Sequence, residues 1–146
     1  MMSISLGKVK AEERVIVSVW QEHHISQAQR AAKELADAIG MSQAAVYSVA
    51  TAVSELACNI FFHAAGRGMI IIRPVKSNGR VGIEVLAEDS GPGIADIELA
   101  IRDGFSTNGG LGGGLPGVKR LMDEFEIESS PGRGTLIVVR KWETAR

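Results

Sequence analysis

The feature that most constrains the fold is an apolar stripe between Ser42 and Ala65. Its members step by three or four residues, which is the spacing of one face of an α-helix. Ser42 is of a type that caps helix N-termini, and Gly66 is of the type that ends helices. The pattern predicts one long helix with its stripe facing a core. The stripe residues are Val46, Val49, Val53, Leu56 and Ile60.

Length and composition are those of one globular domain. The chain has 146 residues, 45% of them apolar and 23% charged, and its net charge is −1. That length provides one core and is too short for two domains. We expect a flexible N-terminus at 1–12 and a single domain at 13–146. The small net charge disfavours binding to nucleic acid through overall charge.

Cys58 is the single cysteine of the chain, which excludes an intramolecular disulfide and a metal site built from cysteines. We expect it to be a small buried residue in a reducing compartment. No apolar run approaches the roughly 20 residues of a membrane span, and residues 1–10 lack the apolar core of a signal sequence. We therefore expect a cytoplasmic protein that contacts no membrane.

The order of predicted elements indicates the fold class. β-branched runs predict strands, helical spacing predicts helices, and Ser77-Asn78-Gly79 predicts a hairpin. The order β-α-α-β-β-α-β-β gives an α/β sandwich of the α+β type, with helices on one face of the sheet. The predicted strands are 14–20, 69–75, 80–87, 126–130 and 135–142, and the predicted helices are 26–39, 42–65, 96–103 and 115–125, with a loop at 104–114.

Glu55 and Asn59 lie one turn apart on the long predicted helix. At about 100° per residue they fall roughly 80–120° from the centre of the stripe, on a flank at the edge of the core, with His63 one turn further. The Asn59 side-chain oxygen suits Mg²⁺, and Glu55 can polarise a water or accept a proton from an attacking hydroxyl. Solvated helix residues show the same spacing, and a capping or partly exposed position is the alternative interpretation for His63.

Asp89 begins a short glycine segment, Asp89-Ser-Gly-Pro-Gly93, directly after a predicted strand. A carboxylate there can accept a hydrogen bond from an exocyclic amine such as that of adenine. Gly91 and Gly93 have no Cβ, so the backbone can approach a flat ring closely. A tight turn after a strand is the alternative interpretation.

The segment 109–114 contains five glycines in six residues and precedes the predicted helix 115–125. Such a segment can present backbone N–H groups to phosphates or move as a lid, and a flexible linker is the alternative. Gly112 to Gly117 formally match the dinucleotide motif G-x-G-x-x-G, but no strand precedes them, and the chain has no G-K-[ST] of a Walker loop. Lys119 and Arg120 fit solvated helix charges, and contact with phosphate or with an acidic face of a partner is the alternative interpretation.

In combination, these segments resemble the GHKL superfamily of ATP-binding domains, in its branch of anti-sigma-factor serine kinases. Glu55 and Asn59 match the N-box, 89–93 the first glycine box, 110–117 the second, and Gly134-Thr135 the terminal motif. The resemblance covers roughly residues 14 to 142. It implies the GHKL (Bergerat) fold, with a mixed, mostly antiparallel sheet, and it implies ATP and Mg²⁺ as cofactors.

The resemblance also implies a role for each matched residue. Glu55 would be the catalytic base, Asn59 would hold the metal, Asp89 would select adenine, and Thr135 would help to hold it. The residues implied to contact the nucleotide are Asn59, Asp89, Gly91, Gly93, Gly110, Gly112, Gly113, Gly114, Leu115 and Thr135.

Within that branch, residues 54–60, 87–94, 103–111 and 114–125 resemble the switch kinases of the stressosome. Those kinases imply a serine/threonine kinase that phosphorylates STAS-domain partners, namely the stressosome scaffold and antagonist, and then activates a PP2C-type phosphatase. Cys58 stands where the resemblance leads us to expect a basic residue, and His63 where an aromatic one is usual. A nucleotide-dependent binding protein similar to an anti-sigma factor is the alternative, because it would use the same pocket.

Overall fold

The computed structural model describes residues 14–102 and 114–144. Its elements are β1 (Val15–Val19), α1 (His23–Ala38), α2 (Gln43–His63), β2 (Gly68–Ser77), β3 (Arg80–Asp89), α3 (Ile97–Ala100), α4 (Gly114–Leu121), β4 (Glu124–Ser129) and β5 (Thr135–Thr144). The described strands form one five-stranded sheet in the order β1-β2-β3-β5-β4. Each neighbouring pair is antiparallel, which confirms the predicted fold class.

The core lies between one face of the sheet and the helices α1, α2 and α4. Side chains alternate along each strand, so every second residue of β2, β3 and β5 points into this core. All five members of the predicted α2 stripe are at most 2% exposed, which confirms the stripe. Small buried alanines on α1, Ala28 and Ala32, allow that helix to pack closely on α2.

Several predicted boundaries are confirmed by local hydrogen bonds. Ser42 caps α2, where its Oγ accepts a hydrogen bond from the backbone N–H of Ala45 at 3.2 Å. Asn78 and Gly79 both have positive φ angles, 51° and 77°, and they join β2 to β3 as the predicted hairpin. Asp96 caps the short α3 by accepting from Leu99 N–H at 3.0 Å.

Several helix boundaries differ from the prediction: α3 ends at Ala100 rather than at 103, and two further differences have a visible cause. The helix α1 begins at His23 rather than Ser26, because the Nδ1 atom of His24 accepts the backbone N–H groups of Trp20 and Gln21 at 3.2 and 3.0 Å and fixes the turn before the helix. The helix α4 ends at Leu121 rather than Phe125, because Phe125 pairs with Val139 of β5 and extends β4.

Two predicted segments fall on residues that the structure does not describe. The predicted flexible N-terminus, 1–12, lies outside the described residues, and so does the predicted glycine loop apart from Gly114. The interpretation of 13–146 as a single domain therefore stays a prediction.

The helix α2 is the one described helix that is long and apolar enough to cross a membrane by length and composition. This finding differs from the expectation that no apolar run reaches that length. In its most apolar window, 61% of the residues are buried inside the fold, as in a core helix.

The face of the sheet away from the helices carries a network of ion pairs. Glu84 lies on the central strand β3 and is only 3% exposed. Its two carboxylate oxygens accept hydrogen bonds from Arg73 Nε at 2.5 Å and from Arg140 Nε at 2.8 Å. Arg140 also donates through Nη1 to Glu124 at 2.8 Å. The network thus connects β2, β3, β5 and β4 across the sheet.

We predict that stability falls in mild acid through His24. Burial, and secondly the charge of His23, lower the pKa of His24 below its ordinary value. The unfolded chain therefore binds a proton near pH 6.5 more readily than the folded chain. The free energy of unfolding should decrease by about 1 kcal/mol between pH 7 and 5, because protonated Nδ1 can no longer accept the two backbone hydrogen bonds.

Urea unfolding of the wild type and of His24→Gln across this pH range measures the effect. We expect His24→Gln to be less stable at pH 7 and to show a smaller pH slope. A slope equal to that of the wild type would contradict the assignment to His24.

Candidate functional site

A cavity of about 380 Å³ opens where the end of β3 and the start of β5 approach α2. Asp89 and Thr135 face each other there as partners in the antiparallel register of β3 and β5. The helix α2 contributes Asn59 and His63 to the wall. The structure thus brings together predicted site residues from distant parts of the chain. Those that line the cavity are Asn59, Asp89, Gly93, Leu115 and Thr135.

Asp89 is half-buried, and its orientation is fixed by its own turn. Its Oδ1 atom accepts a hydrogen bond from the backbone N–H of Gly91 at 2.9 Å. This Asx-type contact is typical of an aspartate that starts a tight turn. The tight turn that the sequence offered as an alternative is therefore present, and it positions the carboxylate at the cavity wall.

Gly91 and Gly93 lie where the backbone of the turn touches its neighbours. A Cβ atom on Gly91 would stand 2.7 Å from both Cα and Cβ of Ala64, at the end of α2. Gly93 has a φ of 81°, and a Cβ there would collide with the carbonyl oxygen of Ser130. Both positions therefore require glycine, because a side chain at either one would push the turn away from α2 or from the loop after β4.

Ser129 connects three segments around the cavity. Its hydroxyl accepts a hydrogen bond from Ile94 N–H at 2.8 Å, donates to the carbonyl oxygen of Gly134 at 2.9 Å, and lies 2.8 Å from the Thr135 hydroxyl. Thr135 is only 6% exposed. Sequence reasoning missed Ser129, since one serine near a strand end belongs to no motif. Its pairing with Thr135 across β4 and β5 is visible only in the sheet register.

Asn59 reaches the cavity, whereas Glu55 does not line it. Asn59 is half-buried. Glu55 is only 6% exposed and is not among the described residues that line the cavity. The predicted flank position thus fits Asn59 better than Glu55. The reason is that α2 packs against α1 and α4 as well as against the sheet, so its sides are also covered. His63 is exposed, as the alternative interpretation allowed, and it also lines the cavity.

Cys58 is half-buried on α2 rather than fully buried as predicted. Burial raises the pKa of its thiol, and the nearby carboxylates of Glu55 and Glu22 raise it further. The residue is thus a neutral thiol at neutral pH, in place of the positive charge that the resemblance led us to expect.

The start of α4 forms another part of the cavity wall. Gly114 has a φ of 71° at the first position of α4, and the next residue, Leu115, is 5% exposed and lines the cavity. The predicted phosphate-contacting residues Gly110, Gly112 and Gly113 lie outside the described residues. Their role stays a prediction.

The described residues contain no protein-only cage for a metal ion. Within 14–102 and 114–144, no group of three or more His, Cys, Asp and Glu side chains is arranged to hold one. Asn59 nevertheless offers an amide oxygen at the cavity wall. Such a donor set fits Mg²⁺, which keeps several waters and is held by one or two side chains together with substrate phosphates.

Comparison with known proteins identifies the fold family. A family model described as a histidine kinase-like ATPase domain matches residues 19–141. The chain is 47% identical over 126 residues to the serine/threonine-protein kinase RsbT of Bacillus subtilis (strain 168), covering 86% of this chain and 94% of that protein. It is 37% identical over 102 residues to an anti-sigma F factor of Caldanaerobacter subterraneus subsp. tengcongensis, covering 66% of this chain and 70% of that one.

Solved structures share the fold at low sequence identity. The RsbU and RsbW domains of a Mycobacterium tuberculosis protein align with a TM-score of 0.60 and 16% identity, over 91% of this chain and 34% of that one. The mycobacterial sensor histidine kinase MprB aligns with a TM-score of 0.50 and 20% identity, over 69% of this chain and 74% of that one. These likenesses support the sheet-and-helix arrangement described above.

We predict that Gly134→Ala is far more damaging than Gly132→Ala, although both glycines have positive φ angles, 80° and 78°. A Cβ on Gly134 would collide with the carbonyl oxygen of Asp89, whereas a Cβ on Gly132 meets nothing within 4 Å. We expect a loss of about 1–2 kcal/mol for Gly132→Ala and of roughly 2–5 kcal/mol for Gly134→Ala. Urea unfolding measures both, and equal losses would contradict the close approach of β5 to Asp89.

Proposed function

The chain belongs to the histidine kinase-like ATPase domain family, and from that membership we propose that it is a protein serine/threonine kinase that uses Mg-ATP. The observation that carries the proposal is the convergence of Asn59, Asp89 and Thr135 on one cavity. The cavity has a volume of about 380 Å³, within the range of pockets that bind small molecules. The 47% identity to RsbT along most of both chains supports the kinase activity.

The adenine of ATP is proposed to lie against Asp89 and Thr135. The Gly91 N–H already holds one oxygen of the Asp89 carboxylate, so the group is fixed before a ligand arrives. A carboxylate is an acceptor-only group when ionised and therefore suits the exocyclic amine of adenine. The close contact of Gly91 with Ala64 seats this turn against the end of α2, so the backbone that carries Asp89 is held in place.

Asn59 is proposed to hold Mg²⁺ through its side-chain oxygen. When bound, the metal would neutralise charge on the transferring phosphate, which phosphoryl transfer requires. Leu115 at the start of α4 lines the same cavity, and the backbone N–H groups of this first helical turn are proposed to donate to phosphate oxygens there.

Glu55 is proposed as the general base toward the acceptor hydroxyl. It lies on α2, one helical turn before the proposed metal ligand Asn59. Because the carboxylate is buried, we infer that the acceptor segment of the protein substrate must approach α2 closely to share its proton with Glu55. The partners that we propose are STAS-domain proteins as substrates and a PP2C-type phosphatase as a second target.

We predict that Glu55→Gln lowers the rate of phosphate transfer by roughly 100-fold or more, since a general base contributes about that much. The substitution keeps the size and polarity of the side chain and removes its ability to accept the proton. Transfer of labelled γ-phosphate from Mg-ATP to a purified STAS-domain protein measures the rate. Nucleotide affinity should change little, because Glu55 is not among the described residues that line the cavity.

The matched control is Glu34→Gln, which changes an exposed carboxylate on α1 in the same way. We expect it to transfer phosphate at the wild-type rate. Equal rates for wild type and Glu55→Gln would refute Glu55 as the base while leaving the nucleotide site intact.

A second candidate function is a nucleotide-dependent binding protein similar to an anti-sigma factor. The 37% identity to the anti-sigma F factor favours this candidate. It would use the same cavity, so turnover and partner capture are the properties that separate it from a kinase.

We predict that Asn59→Ala abolishes phosphate transfer, because the metal loses its side-chain oxygen. Capture of the STAS-domain partner by the variant is then measured in a pull-down with and without Mg-ATP. Lost transfer with retained capture indicates that binding and catalysis are separate properties. Wild-type transfer by Asn59→Ala would contradict the metal assignment.

A further inference from the structure

We propose that Ser129 sets the direction of the hydrogen bond made by Thr135, and thereby makes the cavity prefer a purine that carries an amine at its six-position over one that carries an oxygen. This inference rests on the proposed ATP site. Ser129 would be a positioning residue, because it acts through Thr135.

A count of protons supports the proposal. The Ser129 hydroxyl has one proton and two lone pairs. The Gly134 carbonyl can only accept, so the 2.9 Å contact uses the Ser129 proton. The backbone N–H of Ile94 can only donate, so the 2.8 Å contact uses one lone pair.

The remaining lone pair of Ser129 determines what Thr135 does. The Thr135 hydroxyl lies 2.8 Å away, and with the Ser129 proton already used, Thr135 must be the donor. Every group of this cluster is then satisfied, as burial requires. The Thr135 oxygen is left with lone pairs alone to offer a ligand in the cavity that it lines.

Two acceptors therefore face each other across the strand pair. The Asp89 carboxylate is one, and the Thr135 oxygen fixed by Ser129 is the other, at paired positions of β3 and β5. An amine can donate to such groups. A carbonyl oxygen in the same place would meet lone pairs on both sides and would gain no hydrogen bond from either group, which is unfavourable.

The same hydroxyl is one of two described hydrogen-bonded links between the segments of the cavity wall. Ser129 ties the turn after β3, through Ile94, to the start of β5, through Gly134. The backbone N–H of Gly132 also donates to the Pro92 carbonyl at 2.8 Å, so a second hydrogen bond holds these segments together. Loss of the Ser129 hydroxyl should therefore change the direction of the Thr135 hydrogen bond without opening the cavity.

The test is titration calorimetry of the full chain with ATP and with inosine triphosphate (ITP), each with Mg²⁺. ITP carries an oxygen in place of the six-amine. The wild type should prefer ATP. In Ser129→Ala the Thr135 proton is released and can turn to the ligand, so the ATP:ITP affinity ratio should fall roughly three- to tenfold. Ser129→Thr keeps a hydroxyl and should restore the wild-type ratio.

Thr135→Val provides the matched background. With no hydroxyl left to reorient, adding Ser129→Ala should leave the ATP:ITP ratio of Thr135→Val unchanged, as expected for two residues that act as a unit. If Ser129→Ala does not fold, Thr135→Val alone tests the proposal, because its ratio should also fall below that of the wild type.

The outcomes separate the two proposals. Equal weakening of ATP and ITP in Ser129→Ala assigns Ser129 a purely structural role and overturns this inference alone. An unchanged ratio in Thr135→Val does the same. A wild-type chain that binds neither nucleotide overturns the proposed function and this inference with it.

Discussion

The packing of α2 against the sheet is the interaction on which the rest of the structure depends. Its five stripe residues are at most 2% exposed, and α2 contacts β2, β3 and β5 on the core face of the sheet. Burial of large aliphatic side chains contributes about 1.5–3 kcal/mol for each, so this interface supplies much of the stability of a small domain. It also fixes the rotation of α2, and therefore the direction in which Asn59 and His63 point.

A second constraint lies in the close backbone contacts at the end of β3. Gly91 touches the end of α2, Gly93 touches the loop after β4, and Gly134 touches Asp89. At each contact a Cβ atom would displace backbone, not a flexible side chain. The glycines thus let three chain segments meet at the wall of the cavity, and the Asp89 carboxylate is positioned by the same contacts.

Sequence patterns were sufficient for the fold class, and the family resemblance named five residues that line one cavity. The spacing of Val46 to Ile60 predicted a buried helix face, and the hairpin at Asn78-Gly79 followed from turn chemistry. The depth of Glu55 could not be predicted, because it depends on how α1 and α4 cover the flanks of α2. Ser129 could not be found for a related reason, since its partners are distant in sequence and meet it through the pairing of β4 with β5.

The face of the sheet away from the helices carries charged side chains that help to fix the register of the strands. Glu84 lies in the central strand and would be exposed, but Arg73 and Arg140 cover it from the two neighbouring strands. Such a buried ion pair adds little net stability, whereas loss of one partner leaves an uncompensated charge. The network therefore disfavours any strand register in which one of its charges loses its partner. A shift of β5 by one residue against β3 would turn Arg140 into the core and separate Thr135 from Asp89. The ion pairs on one face of the sheet therefore help to keep Asp89 and Thr135 paired on the other face.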